Sequence, residues 1–144
     1  MIRKAKECDV ATIAALAAKM WTSATEAALK DEFEDLLLNG DTAIFLYIRD
    51  HNAIGFSQCQ LRRDYVEGTD TSPVGYLEGV FVEQAYRRMG YGRMLVQACE
   101  NWAKERGCSE FASDCELHNT DSLHFHLHYG FLEANRIICF TKKI

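Results

Sequence analysis

The sequence predicts an α/β (α+β) protein of one domain, with one layer of β-sheet and helices packed on it. Segments with apolar residues at helical spacing alternate with short apolar segments that are bounded by turn residues. The chain has 144 residues, enough to bury a core without disulfides. Because no linker, repeat or low-complexity tract interrupts it, residues 1–144 are expected to form that single domain.

Two helices are predicted near the start of the chain. Asp9 can cap a helix that runs to about Met20, since apolar side chains recur there at helical spacing. A second helix covers residues 24–38 and ends at Asn39-Gly40. A short strand at residues 2–4 would precede both helices.

Three strands follow the two helices. TAIFLYIRD (42–50) and AIGFSQCQLRR (53–63) predict two strands joined by a hairpin turn at residues 50–52. Residues 66–75 have the composition of a loop, and YLEGVFV (76–82) predicts the third strand. Strict alternation along that strand would place four side chains on one face: Tyr76, Glu78, Val80 and Val82.

Helices and strands alternate in the rest of the chain. The segment after Val82 predicts an amphipathic helix that ends at Gly107. EFASDC (110–115) predicts a strand and residues 120–129 a short helix. IICFTKK (137–143) predicts a last strand.

Composition limits the classes of function. A net charge of −5 argues against a nucleic-acid partner, which prefers a basic surface. No apolar run approaches the roughly 20 residues that span a bilayer, so no membrane partner is expected. The N-terminus lacks the apolar stretch of a secretory signal, which favours a cytoplasmic protein whose six cysteines stay reduced. There is no C-x-x-C pair, and His124 and His128 lack a completing ligand, so no metal is expected.

Arginines and glycines cluster where the third strand gives way to a helix. In VEQAYRRMGYGRML (82–95) the spacing is R-x-x-G-x-G. The unpaired N–H groups of a helix N-terminus form an anion site, and glycines would let a diphosphate approach the backbone. A plain tight turn is the alternative interpretation. The residues expected to bind phosphate are Arg87, Arg88, Met89, Gly90, Tyr91, Gly92 and Arg93.

Two motifs resemble those of the GNAT superfamily of N-acetyltransferases. R-x-x-G-x-G is similar to its acetyl-CoA signature, and NTDSLHFHLHYGF (119–131) is similar to its second motif. YVEGTDTSPVGYLEGVFV (65–82) and WAKERGCSEFASDCELHN (102–119) further resemble the aminoglycoside 6′-N-acetyltransferases. The resemblance implies a central mixed, mostly antiparallel sheet that splays at the acetyl-CoA slot, with helices on both faces.

The resemblance also implies an activity. Such an enzyme would transfer the acetyl group of acetyl-CoA to the 6′-amino group of an aminoglycoside antibiotic, by direct attack in a ternary complex, and would confer resistance. Two alternatives remain: a GNAT enzyme that acetylates polyamines or protein amines, and a non-catalytic acetyl-CoA-binding module. Relatives are commonly dimers, so a homodimer is expected.

Roles for individual residues follow from the same resemblance. Glu78 would contact the substrate ammonium group and assist its deprotonation through water, or would be a salt-bridged strand residue. The other residues implied for the aminoglycoside pocket are Trp21, Tyr65, Asp114 and Asn135.

The cofactor side of the site is implied in the same way. His126 would protonate the departing thiolate, or would serve only local hydrogen bonding. Asn119 would hydrogen-bond the pantetheine side of the coenzyme. The backbone groups of Val80, Phe81 and Val82 would run beside pantetheine like an added strand.

Overall fold

Five strands and four α-helices make up the computed structural model, which describes all residues 1–144. In chain order they are β1 (Ile2–Lys4), α1 (Val10–Met20), α2 (Glu26–Leu38), β2 (Thr42–Arg49), β3 (Asn52–Arg62), β4 (Val74–Val82), α3 (Tyr91–Glu105), β5 (Phe111–Ser113) and α4 (Thr120–His128). Short 3₁₀ turns at residues 7–9 and 84–86 precede α1 and α3. No helix is long and apolar enough to cross a membrane.

The strands form one sheet in the order β1-β2-β3-β4-β5. The first four are antiparallel to their neighbours, and β4 and β5 are parallel. The β2–β3 hairpin turns through Asp50 and His51, which both have positive φ angles of 48° and 65°. The predicted mixed, mostly antiparallel sheet and the hairpin are both confirmed.

Helices cover both faces of the sheet, as expected. On one face α1 and α2 pack against β2 and β3, where Ile13, Phe33 and Phe56 are fully buried. On the other face α3 packs against β3 and β4, and Cys59 and Cys99 are fully buried there. Each face therefore has its own apolar core, and the sheet holds the two cores apart.

β4 and β5 pair over a short length only. Their register runs from Gly75 opposite Phe111 to Leu77 opposite Ser113. β4 then continues to Val82 without a partner on that side, because the chain leaves the sheet after Ser113. The sheet splays at this point and exposes one edge of β4.

Asp9 does not cap α1 through its side chain. Its carboxylate accepts two hydrogen bonds of 2.7 Å from Arg3 and one of 2.8 Å from the Lys6 backbone N–H. These bonds tie β1 to the turn before α1. The helix boundary and the N-cap position of Asp9 are therefore confirmed, but the side chain makes no capping hydrogen bond to α1.

The predicted last strand at residues 137–143 is wrong as well. Residues 131–144 contain no helix or strand, although residues 137–140 are a continuous apolar run. A strand needs a neighbour for its backbone hydrogen bonds, and no strand of this chain pairs with the segment. Leu132 is 90% exposed, Ile138 80% and Phe140 88%.

Candidate active site

A single large groove of about 1540 Å³ follows the exposed edge of β4. One end lies at the N-terminus of α3, and α4 forms a wall. The loop after β5 closes the other end. The groove brings together most of the residues singled out in the sequence: Trp21, Glu78, Val80, Phe81, Val82, Arg87, Arg88, Gly90, Tyr91, Gly92, Arg93, Asp114, Asn119 and His126.

The N-terminal end of α3 presents free backbone donors to the groove. None of the six N–H groups from Arg88 to Arg93 donates a hydrogen bond to another residue. Arg88 and Gly90 have positive φ angles of 63° and 83°, which turns the chain sharply into the helix. Successive free N–H groups at the positive end of a helix dipole bind anions. We call residues 88–93 the amide cluster.

Arginine side chains surround the amide cluster. The Arg87 Nε donates to the Val82 carbonyl oxygen at 2.9 Å, which fixes the loop before α3. Arg49 donates to the Tyr91 hydroxyl at 2.8 Å and thereby adds positive charge from β2. Sequence reasoning missed Arg49, because its contact with Tyr91 spans 42 residues.

The two glycines of the motif are required for different structural reasons. Gly90 has open space around it, so its positive φ rather than its surroundings requires glycine. A Cβ at Gly92 would lie 3.3 Å from the Tyr129 hydroxyl and 3.4 Å from the Phe125 ring. Gly92 therefore lets α4 approach α3, which was not predicted.

A β-bulge changes the face of β4 at Glu78. Gln58 of β3 pairs with Gly79, whereas the next residue, Cys59, pairs with Leu77, so Glu78 has no partner. After the bulge Val80 packs in the same core as Leu77. The predicted placement of Tyr76, Glu78, Val80 and Val82 on one face is therefore wrong. Bulges reorient side chains and are frequent beside active sites.

Glu78 is held by an arginine that sequence reasoning missed. The Arg62 guanidinium donates to Glu78 Oε1 at 2.9 Å, and the Glu78 side chain remains 22% exposed. The same guanidinium stacks 3.4 Å from the centre of the Tyr76 ring. One carboxylate oxygen of Glu78, Oε2, has no partner in the protein and stays available to a ligand.

Tyr76 connects this pair to Asp114. Its hydroxyl donates to Asp114 Oδ2, and the side chain is almost fully buried. Burial and the hydrogen bond to Asp114 raise the pKa of the Tyr76 phenol, so it remains a donor. Asp114 itself is exposed in the groove. We call Glu78, Asp114 and their partners Arg62 and Tyr76 the acidic end.

Trp21 lies between the apolar core and the groove. Its ring centroid is 6.4 Å from that of Phe33 and 6.1 Å from that of Phe56. A Cβ at Gly79 would lie 2.9 Å from the Trp21 ring, so the tryptophan packs directly on the β4 backbone after the bulge. One part of the ring is core, and the exposed part forms a groove wall.

His126 is bonded at both ring nitrogens. Nδ1 lies 2.6 Å from the Ser122 carbonyl oxygen, and Nε2 lies 2.8 Å from the Ser113 hydroxyl. The Asn119 side-chain oxygen accepts from the Ser122 N–H at 3.1 Å and so caps α4. Sequence reasoning identified Asn119 and His126 but not Ser113, which comes from another element.

Two predicted pocket residues lie outside the groove. Tyr65 is 81% exposed, and its hydroxyl donates to Glu67. The Asn135 side chain donates to Glu67 Oε1 at 2.9 Å. These hydrogen bonds from Asn135 and Tyr65 lower the pKa of the Glu67 carboxyl. Within one chain, Tyr65 and Asn135 form a separate surface cluster.

Comparison with known proteins decides the family. The sequence profile of the acetyltransferase (GNAT) family matches residues 10–131, most of the chain. The chain belongs to the GNAT family. No cluster of three or more metal-ligating side chains occurs in this GNAT chain.

Individual relatives resemble the GNAT chain along its whole length. It is 41% identical over 143 residues to an aminoglycoside N(6′)-acetyltransferase type 1 of Acinetobacter haemolyticus, covering 99% of this chain and 98% of the relative. The apo crystal structure of the 6′-N-acetyltransferase AAC(6′)-Ig from the same organism superposes with a TM-score of 0.96, at 40% identity, covering 100% and 99% of the two chains.

A third comparison concerns a ligand complex. The structure of AAC(6′)-Iy with the bisubstrate analogue CoA-S-monomethyl-acetylneamine superposes with a TM-score of 0.95, at 34% identity. It covers 100% of this chain and 98% of that chain. This GNAT fold is therefore shared with a protein that accommodates both halves of such an analogue.

Proposed function

We propose that this protein transfers the acetyl group of acetyl-CoA to the 6′-amino group of aminoglycoside antibiotics by direct attack in a ternary complex. One observation carries the proposal: a single groove joins the amide cluster to the two carboxylates of the acidic end. An anion site and a cation site in one groove suit one anionic and one cationic substrate. The names of the similar proteins support the same pair of substrates.

The coenzyme is assigned to the half of the groove next to α3. The N–H groups of residues 88–93 would bind its diphosphate, with help from Arg88 and Arg93. The exposed edge of β4 at residues 80–82 offers backbone groups to the pantetheine amides, as in strand addition. The free amide N–H₂ of Asn119 faces the same region.

The aminoglycoside is assigned to the acidic end. The Asp114 carboxylate contacts only a neutral phenol, that of Tyr76, so its negative charge is not balanced. The negative charge of Glu78 is balanced in part by Arg62. Asp114 is therefore the stronger attraction for an ammonium group. Glu78 Oε2 remains free to accept a hydrogen bond from the amine or from a water that removes its proton. The exposed part of Trp21 forms an apolar wall for a sugar ring.

Positioning contributes much of the rate in this scheme. Holding amine and thioester in one groove makes the attack effectively intramolecular. Acetyl-CoA supplies the activated acetyl group, and His126 is the proton donor for the departing thiolate. No covalent acetyl-enzyme is required.

Purified protein and a panel of amines test the proposal. Release of CoA, followed with a thiol reagent, should be fastest with aminoglycosides that carry a 6′-amino group. An otherwise equal aminoglycoside with a 6′-hydroxyl is the matched control and should give no product at that position. Faster turnover of spermidine or a peptide would overturn the assignment, as would tight coenzyme binding with no acetylated product from any amine.

We also propose that the protein is a homodimer. Residues 131–144 expose Leu132, Ile138 and Phe140, and such apolar segments are normally covered. A second copy of the chain would cover them. Light scattering should give twice the chain mass, and the double variant Ile138→Lys/Phe140→Lys should give the monomer mass, with Lys142→Ala as control. A monomeric unmodified protein would contradict this proposal.

The cellular role follows from the proposed reaction. All six cysteines are free thiols, which suits the reducing cytoplasm, where acetyl-CoA is available. Acetylation removes one positive charge from the drug, so expression in a susceptible bacterium should raise the inhibitory concentration of 6′-amino aminoglycosides. An unchanged inhibitory concentration, despite activity in vitro, would contradict a role in resistance.

A further inference from the structure

Ser113 stands between His126 and the strand edge where the groove opens. It is the last residue of β5 and the last to pair with β4, opposite Leu77. Its hydroxyl is 2.8 Å from His126 Nε2 and 3.0 Å from the Leu77 carbonyl oxygen. The Phe131 ring, 5.1 Å from the imidazole between centroids, packs against His126 and limits its rotation.

The hydrogen bonds around the ring restrict where the protons sit. The Ser122 carbonyl lies 2.6 Å from Nδ1 and can only accept, so Nδ1 carries a hydrogen; the Ser122 hydroxyl, at 3.3 Å, is the longer contact of this nitrogen. With a neutral ring, Nε2 is then an acceptor, and Ser113 donates to it. With a doubly protonated ring, Nε2 donates to Ser113, whose own hydrogen turns to the Leu77 carbonyl. Rotation of one hydroxyl therefore satisfies the ring in both protonation states.

Nδ1 is closed to the groove by the Ser122 carbonyl, so a proton can leave the ring only through Nε2. We propose that Ser113 positions His126 and carries its proton towards the coenzyme sulfur. This proposal rests on the proposed acetyl transfer. Sequence motifs gave no indication of it, because Ser113 and His126 belong to different elements.

The proton transfer balances without a further reactant. The Ser113 hydroxyl hydrogen first turns from the Leu77 carbonyl to the thiolate. The Nε2–H bond then breaks as a new Oγ–H bond forms on Ser113, and the original hydroxyl proton passes to the thiolate, forming the S–H bond. The ring is left neutral, with its Nε2 lone pair facing Ser113, and the hydroxyl then donates to it. No electron is exchanged, and solvent returns the proton to the ring before the next turnover.

Nitrogen NMR of histidine-labelled protein tests the contact without any substrate. In neutral His126, assigned by its loss in His126→Gln, Nε2 should show the shift of a hydrogen-bonded acceptor. Ser113→Ala should move that resonance to the position of an unbonded nitrogen and leave Nδ1 protonated. Ser122→Ala keeps the backbone carbonyl of residue 122 and should leave the Nε2 resonance unchanged. An Nε2 resonance that Ser113→Ala does not move overturns the proposal, whatever the activity is.

Single-turnover kinetics with saturating substrates tests the consequence, since it excludes product release. Ser113→Ala should slow acetyl transfer about 100-fold, the lower end of the range for lost proton-transfer catalysis, and leave the KM values within about twofold. Ser113→Thr, which restores a hydroxyl, should recover most of the rate. Ser109→Ala, at an exposed residue shortly before β5, should react like the unmodified protein.

A double variant separates this role from a purely structural one. If Ser113 acts through His126, adding Ser113→Ala to the His126→Gln variant should hardly change the rate of acetyl transfer. An equal loss in both backgrounds, a change in KM alone, or failure of threonine to restore the rate would each contradict the proposal. If the unmodified protein acetylates no amine, the proposed function fails, and the NMR result still decides whether Ser113 holds the ring.

Discussion

The two ends of the groove are built from different parts of the chain. At the amide cluster the proposed binding groups are backbone N–H groups of consecutive residues, fixed by the start of α3. At the acidic end the proposed binding groups are side chains of β4 and of the loop after β5, held by contacts that span the sequence: Arg62 contacts Glu78 16 residues away, and Tyr76 contacts Asp114 38 residues away. The first end is local in sequence, and the second exists only after folding.

This difference has consequences for substitution. A backbone donor is present whatever the side chain is, so the amide cluster should tolerate side-chain changes that preserve its φ angles. A carboxylate that contacts a cation has no substitute, so the acidic end should be sensitive at each position. The coenzyme and the amine should therefore respond to separate sets of variants.

The largest effect is expected at Asp114. Asp114→Asn keeps the shape and removes the charge, which should cost about 2 kcal/mol of interaction with an ammonium group, or roughly 30-fold in kcat/KM for the aminoglycoside. Glu78→Gln should cost less in binding, because Arg62 already offsets that charge. The Kd for CoA, measured by calorimetry, should stay within about twofold. An equal loss for both ligands would contradict the separation of the two ends.

A smaller effect is expected at Gly90. Gly90→Ala puts a side chain at a φ of +83°. This left-handed conformation costs a residue with a Cβ atom about 1 kcal/mol. The strain should distort the amide cluster and weaken CoA binding roughly fivefold, leaving the Kd for the aminoglycoside unchanged. Gly40→Ala, at a site with open space and no positive φ, is the matched control. Weaker aminoglycoside binding in Gly90→Ala alone would reverse the assignment of the two ends.

Side-chain charge at the amide cluster should matter less than its backbone. Arg88 is exposed, and an exposed ion pair contributes about 0.5 kcal/mol. Arg88→Gln should therefore weaken CoA binding only about twofold at low salt, and less at high salt because the charges are screened. A tenfold loss that persists at high salt would mean that the side chain, not the backbone, carries the site.

Asp9→Asn should affect neither ligand but should lower stability. Hydrogen bonds from Arg3 and from the Lys6 N–H lower the pKa of the Asp9 carboxyl in the folded protein. The unfolded chain therefore binds more protons, so this stabilisation is complete above the ordinary aspartate pKa of about 3.9 and is lost as the pH falls through the folded value. Urea unfolding at several pH values gives the free energy of unfolding of both proteins. The difference between Asp9→Asn and the unmodified protein should become smaller as the pH falls. A difference in the free energy of unfolding that does not depend on pH would contradict the stabilising role of the ionised Asp9 carboxylate.

Features with local causes could be predicted from the sequence. The hairpin at residues 50–52 and the start of α3 with its free N–H groups depend on residues adjacent in the chain. The mixed sheet with helices on both faces followed from the resemblance, because motif order fixes the arrangement of a known fold. The substrate-binding roles of Glu78 and Asp114 were expected from the same resemblance and stay predictions, and the structure places both residues in the groove.

Features that depend on pairing across the fold could not be predicted. The bulge at Glu78 arises because β3 and β4 differ by one residue between two paired positions, which alternation in β4 alone cannot reveal. Nothing in the sequence singles out Arg62 or Ser113, whose contacts with Glu78 and His126 exist only in the folded chain. The strand expected at residues 137–143 has the right pattern but no partner in the chain.

A crystal structure with CoA and an aminoglycoside bound together tests the central claim most directly. We expect the diphosphate on the N–H groups of residues 88–93, and an amino group of the sugar within hydrogen-bond distance of Glu78 or Asp114. A diphosphate bound elsewhere, with the amide cluster empty, or a sugar bound away from both carboxylates, would contradict the account.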